Sequence, residues 1–355
     1  MEEKIKELQQ ELYMQLKKAE KARRMISLGR ILCYGGGVIY FLGLIVMQVF
    51  IYSGGDTSLF YTLNPEPTFW EQYKMLIVIL PLFALIFIGG YALSFFQRKY
   101  SATEVASIKR IIGTMFPDAT FKLVHSFLPP ALVMQSCFFG GTDKRLLSGR
   151  SFGSITYEND HRKIIFRDVL INTSKSINWF SETYIGATLM LLATVFKGIF
   201  VKRIENITGD FRGMFADTQL EKKINGSVVV LPDRLERHLD YLAKNIQALK
   251  NVSGNKLVVL EDVEFERHFA VYASDEITAR YVLTPAMMVR MTALKQKYNR
   301  DIMLSFNNDR FFFAVAMPEG FLTLGDASLT SGEALRDLYD NIDAARDIVN
   351  NLKIK

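Results

Sequence analysis

Two runs of 22 uncharged, mostly apolar residues, Ile31 to Tyr52 and Met75 to Phe96, constrain this chain more than any other feature. At 1.5 Å per residue each is long enough to cross a hydrocarbon core about 30 Å thick, so both are expected to be transmembrane helices. About 30 polar residues precede the first run and no small-x-small cleavage site follows it, so it is expected to be retained rather than cleaved as a signal peptide. Eight Lys or Arg precede it, the stretch Ser53 to Tyr73 has none, and Arg98, Lys99, Lys109 and Arg110 follow the second run. The positive-inside rule then predicts a hairpin with both termini cytoplasmic and the short loop outside. Tyr52, Phe69, Trp70 and Tyr73 fall where the outer interface would be.

The expected domains are a cytoplasmic N-terminal helix (1–30), a transmembrane hairpin (31–96, with spans 31–52 and 75–96 and an outer loop 53–74), and a cytoplasmic domain (97–355). The last of these is read as one body or as two lobes meeting near 205–255. A third apolar run, Ile185 to Val201, contains Lys197 and falls short of a span, and it is expected to form buried strands. Gly29, Cys33 and Gly37, and likewise Gly90 and Ser94, repeat every four positions and allow close helix approach, read here as packing of the two spans on each other. Pro81 would kink the second span. Neither span holds an acid, His or Arg, which leaves an ion or proton relay without residues.

In the first 29 residues Ile5, Leu8, Leu12, Gln15, Ala19, Ala22 and Ile26 mark a narrow seam. It suits either a short coiled coil, and hence a homo-oligomer, or a helix packed on the chain's own globular part. Lys17, Lys18, Lys21, Arg23 and Arg24 crowd its membrane end, where they signal topology and favour anionic headgroups, so that the bilayer itself is the first expected partner.

Residues 97–355 are expected to form an α+β domain with antiparallel sheet. Ser101 with Glu104 opens a helix that ends before Pro117. Strand-like stretches follow at Thr120–His125, Ala131–Phe139, Ser154–Tyr157, Lys163–Ile171, Leu189–Arg203 and Ser227–Leu231, then a helix at Asp233–Leu249. Further strands are expected at Lys256–Glu261 and His268–Tyr272. Ser274 is expected to cap one helix, Thr284 with Pro285 to start a second, and Thr330 with Glu333 to cap a last one. Asp301–Phe306 and Phe311–Met317 read as a hairpin around Asn307, Asn308 and Asp309.

Chemical motifs are sparse. No phosphate-loop spacing is present, and the nearest anion-binding candidate is the glycine-rich loop with Lys144, Arg145 and Arg150. His125, His161, His238 and His268 never pair at metal-ligand spacing, and no cofactor is implied. Cys137 reads as a small buried residue. The net charge of +6 on the whole chain, with no arginine-rich face or helix-turn-helix, argues against nucleic acid. The densest cluster of charge is Glu261, Asp262, Glu264 and Glu266, with Phe265, Arg280 and Tyr281 nearby. It reads as an acidic turn with Phe265 and Phe269 in the core and Arg280 paired to an acid; the alternative is acid-base or cation chemistry.

From Leu260-Glu261-Asp262 through Leu283-Thr284-Pro285, together with the two spans, Val195–Phe200 and Met303–Phe306, the chain resembles a bacterial two-span membrane family, domain of unknown function 3137. That family is often encoded beside LemA-family proteins, which implies a LemA-like envelope partner. It has no established reaction, so no catalytic residue is carried over. The function expected is a membrane-anchored, cytoplasm-facing interaction or scaffold module binding a protein or lipid headgroups. The alternative is a membrane-tethered enzyme acting on a lipid-derived or phosphorylated substrate through residues 261–266 or the 140–150 loop.

Overall fold

The apolar, β-branched and aromatic runs after residue 118 pair into one antiparallel sheet of ten strands. The structure, a computed structural model, describes residues 2–52, 69–123, 125–139, 147–159, 162–172, 211–232, 255–325 and 327–351. The run 185–201, the helix expected at 233–249, the outer loop through residue 68, Lys144, Arg145, His161 and His238 lie outside them.

In chain order the elements are α1 (Glu2–Tyr52), α2 (Phe69–Met115), β1 (Ala119–Lys122), β2 (Ser126–Leu128), α3 (Pro130–Gln135), β3 (Ser148–Asn159), β4 (Arg162–Asn172), β5 (Phe211–Gln219), β6 (Ser227–Pro232), β7 (Lys256–Val258), α4 (Val263–Glu266), β8 (Phe269–Ala273), α5 (Glu276–Val282), α6 (Pro285–Tyr298), β9 (Ile302–Asn307), β10 (Arg310–Ala316) and α7 (Glu333–Asn351). The strand order is β1-β3-β4-β5-β10-β9-β6-β8-β7, with β2 also paired to β3. The expected class, mixed helix and antiparallel sheet, is the one observed, and the described strands on either side of 205–255 belong to the same sheet.

The chain divides into two units. Unit 1 comprises 1–13, 104–176 and 208–355, and unit 2 comprises 14–103 and 177–207. In unit 1, one sheet face buries Val169, Phe211, Phe215, Met303 and Phe312 with Val133 of α3. On the other face Leu294 of α6 and Ala344 and Ile348 of α7 lie over Ile302, Phe313 and Val315. At about 1.5–3 kcal/mol for each large side chain fully buried, these two layers hold the sheet together.

Ala131–Phe139 is not a strand. Pro130 sits in the first turn, where its fixed φ suits a helix and its missing N–H costs nothing, and α3 results. Asp275 caps α5 in place of Ser274, its carboxylate accepting from the Thr278 amide at 2.7 Å. Thr284 caps α6 as expected, its hydroxyl accepting from the Met287 amide at 3.3 Å. At α7, Gly332 rather than Thr330 supplies the first helical carbonyl, accepting from Arg336 N at 3.1 Å. The β9–β10 hairpin turns through Asn308 and Asp309, with Asn308 in the left-handed region at φ 54°.

The α1 seam is buried at Ile5, Leu8, Leu12, Leu16, Ala19, Ala22 and Ile26. Leu16 therefore replaces the expected Gln15, which is exposed. In unit 2, Gly29 lies against α2: a Cβ there would stand 3.5 Å from Leu93 Cδ1 and 3.7 Å from the Gly89 carbonyl oxygen. Gly90 meets nothing within 4 Å, so the close approach runs over Gly89, which is buried. Among the described residues, no helix is long and apolar enough to cross a membrane. Many side chains of 31–52 and 75–96, including Cys33 and Gly37, lie outside the described set.

Candidate functional site

The acidic run folds as a capped turn. Asp262 takes an extended conformation and its carboxylate accepts from the amides of Glu264 (3.1 Å) and Phe265 (3.0 Å), which starts α4. Glu266 reaches back to accept from Leu260 N at 2.6 Å. Glu264 accepts from Gln296 at 3.2 Å and Arg267 at 3.3 Å, and lies 3.7 Å from His268 Nε2. Phe265 and Phe269 are buried with ring centroids 5.0 Å apart.

Arg280 donates to Glu261 at 3.0 Å and to Glu276 at 2.8 Å, and Glu276 foremost holds its guanidinium above the usual range. Hydrogen bonds from Thr278 hold Asp275 below the ordinary carboxylate range. Each of these carboxylates is thus engaged in a cap, an ion pair or a backbone hydrogen bond, and Glu261 and Asp262 point to different partners. Tyr281 is exposed, as are Val259, Val263 and Ile277 on the same group of elements. Among the described residues no three His, Cys, Asp or Glu side chains are grouped so as to hold a metal ion. Of the basic loop, only Arg150 is described: it is exposed on β3, between Phe127 of β2 and Leu170 of β4.

A buried polar centre was missed in the sequence. Asp168 of β4 is fully buried and takes a two-pronged grip from Arg212 of β5, Nη2 to Oδ2 at 2.9 Å and Nη1 to Oδ1. Arg212 Nη1 also donates to the Val169 carbonyl at 2.9 Å, and Phe321 N donates to Asp168 at 3.0 Å. The guanidinium stands 4.5 Å from the centroid of the Phe152 ring. Gly320, at φ 96°, closes over it, where any Cβ would collide with Arg212 Nη2. A second diagonal pair, Arg167 to Asp217, occupies the opposite sheet face, as strand alternation requires. The available signal was Arg167-Asp168 inside an apolar strand, mirrored by Arg212 and Asp217 in the next.

The segment after β10 is held from several sides within unit 1. Beyond the Phe321–Asp168 bond, Glu104 of α2 accepts from Leu324 N at 3.0 Å, and Gln9 of α1 donates to the Thr330 carbonyl at 3.0 Å.

Among its described residues, unit 2 exposes many large apolar side chains. Its exposed side chains on α1 include Leu28, Ile31, Leu32, Ile39 (70% exposed), Leu42 and Val46, and on α2 Phe87 (72%), Ile88, Tyr91 and Phe95. A helix pair in water hides such residues and shows polar ones.

These features define a domain of mixed helix and antiparallel sheet, with a helix pair whose described residues include many exposed apolar side chains. Residues 209–354 match the family described as Protein of unknown function (DUF3137), which bears out the resemblance over β5 to α7 and begins after Val195–Phe200. No curated protein matches the sequence. One solved structure, the crystal structure of the mycobacterial trehalose monomycolate transport factor A, TtfA, aligns over 70% of this chain and 93% of that one at 8% identity, with a TM-score of 0.34. At that score the two folds are not equated.

Proposed function

We propose that the chain is a membrane-anchored interaction module: residues 31–52 and 75–96 cross a bacterial inner membrane as a hairpin, and unit 1 works on the cytoplasmic side. The observation that carries this reading is the outward apolar surface of unit 2, from Leu28 to Val46 and from Phe87 to Phe95. Contiguous apolar surface of that kind marks a membrane or protein contact. The two runs in the sequence supply the length, and the Lys and Arg distribution supplies the orientation.

For unit 1, the support for binding rather than chemistry is that the carboxylates of 261–266 are committed to a cap, ion pairs and a backbone hydrogen bond, while Val259, Val263, Ile277 (83% exposed) and Tyr281 face outward. The partner this suits is another protein at the membrane, and the family resemblance suggests a LemA-like one.

The test is topology in cells. A carboxyl-terminal epitope on the full chain is expected to survive protease added to intact spheroplasts and to vanish when they are lysed. The chain is expected to stay with the membrane fraction until detergent is added. Loss of the epitope from intact spheroplasts, or a full chain that stays dispersed without detergent, overturns the reading.

A further inference from the structure

The inner rim of the helix pair carries a second, ordered feature. On α1, Lys17, Lys18, Lys21 and Arg24 are exposed, interleaved with exposed Met14, Met25 and Leu28. On α2, Arg98 and Lys99 are exposed directly after exposed Tyr91 and Phe95. The one acid on this part of α1, Glu20, is taken by Arg23 at 3.2 Å and Arg24 at 3.9 Å. Among the described residues, no carboxylate pairs with Lys18, Lys21, Arg98 or Lys99.

The contact of Gly29 with Leu93 sets the relative height of these groups. In the hairpin reading the two helices run in opposite directions, so positions before Gly29 and after Leu93 lie on the same side of that contact. At 1.5 Å per residue, Arg24, Lys21 and Lys18 stand about 8, 12 and 17 Å below it, and Arg98 and Lys99 about 8 to 9 Å. The polar headgroup layer is about 6 to 8 Å thick and begins where the apolar run ends. Lys21, Arg24, Arg98 and Lys99 therefore fall at the headgroup level at the foot of the apolar surface, and Lys18 stands about one turn beyond it, within reach of its long side chain, with aliphatic and aromatic side chains among them that suit the acyl boundary.

We propose that Lys18, Lys21, Arg98 and Lys99 form a girdle that selects anionic phospholipid headgroups. The occupant is argued from charge complementarity and from continuity with the apolar surface of the same two helices. This inference rests on the anchored reading above and adds the lipid class to it.

The experiment uses the full chain, purified in a neutral detergent and offered equal amounts of phosphatidylglycerol and phosphatidylcholine, with the retained lipids counted by native mass spectrometry. The wild-type chain is expected to retain phosphatidylglycerol about tenfold over phosphatidylcholine, a modest share of what four cations near an anionic surface can supply. The variant K18Q/K21Q/R98Q/K99Q is expected to lose that preference to within about twofold. A charge-matched control, K122Q/K222Q/K223Q/K256Q, is expected to keep it. Excess inorganic phosphate is expected to leave the retained lipid in place.

Equal retention of the two lipids by the wild-type chain overturns the proposal. So does a girdle variant that keeps the preference, a control variant that loses it equally, or displacement of lipid by phosphate, which would assign the cations to a free anion. Failure of the anchor itself reads differently, as a chain dispersed in detergent-free buffer, and the girdle falls with it.

Discussion

Asp168 and Arg212 show how much one buried pair can fix. The carboxylate binds the guanidinium, and the leftover lone pair accepts from Phe321 N, so the strand pair β4–β5 and the segment after β10 depend on the same two side chains. Removing one member leaves an uncompensated charge in a site with almost no water, which costs about 3–5 kcal/mol. Asp168→Ala is therefore expected to lower the unfolding free energy of the full chain in mild detergent by about that amount, measured by urea titration. Arg280→Ala is expected to shift the same titration far less, because Arg280 and its partners Glu261 and Glu276 are largely open to solvent. Gly320→Ala should behave like Asp168→Ala, since it drives a methyl group into the guanidinium.

Among the elements, α7 carries the clearest response to pH. Burial, and then the nearby Glu319, hold the Asp337 carboxyl above its ordinary range; burial, and then Asp337 and Asp343, do the same for Asp340. Between the unfolded and folded values the folded chain binds more protons than the unfolded one, so stability falls as pH rises through that acidic window and stays reduced above it. Asp337→Asn with Asp340→Asn is expected to flatten this slope and to raise the melting temperature at neutral pH, measured by thermal scans from acidic to neutral buffer.

Helices and strands differed in how openly the sequence declared them. The α6 start was legible in Thr284-Pro285, and the β9–β10 hairpin in Asn308-Asp309. The strand β5 was missed because it is buried on both faces, which erases the alternation that marks a half-exposed strand. In α3, Leu132 and Val133 suggested a strand, and the decisive signal was Pro130 at the helix start. The seam of α1 was read one residue early at Gln15 because a strict seven-residue repeat was imposed on an ordinary 3.6-residue helix, which places Leu16 inside. At the candidate site, Phe265 and Phe269 in the core and Arg280 beside Glu261 could be read from residue type. The Asp168–Arg212 centre could not, because diagonal pairing depends on register, and register emerges only when strands distant in sequence meet.

For the molecule as a whole, the family match and the sheet do not share a boundary. Residues 209–354 include β5 to β10 but leave out β4, which pairs with β5 along seven residues from Ile165 to Ile171. A fragment confined to 209–354 would expose the flank of β5, with Phe211 and Phe215 beside it, as an unpaired edge. Such a fragment is expected to elute as aggregate in size-exclusion chromatography, whereas the full chain in mild detergent is expected to elute as a discrete species.

The place of β10 also has a consequence for biosynthesis. This phenylalanine-rich strand, Arg310–Ala316, is the last to leave the ribosome, yet it sits between β5 and β9 near the middle of the sheet. Until it is made, β5 has no partner on its far flank, and the half of the sheet built on β9 and β6 has nothing to join. Translation that stops before Arg310 thus releases a chain with two sticky open flanks, and the cell's quality-control proteases and holdases become the first proteins it meets.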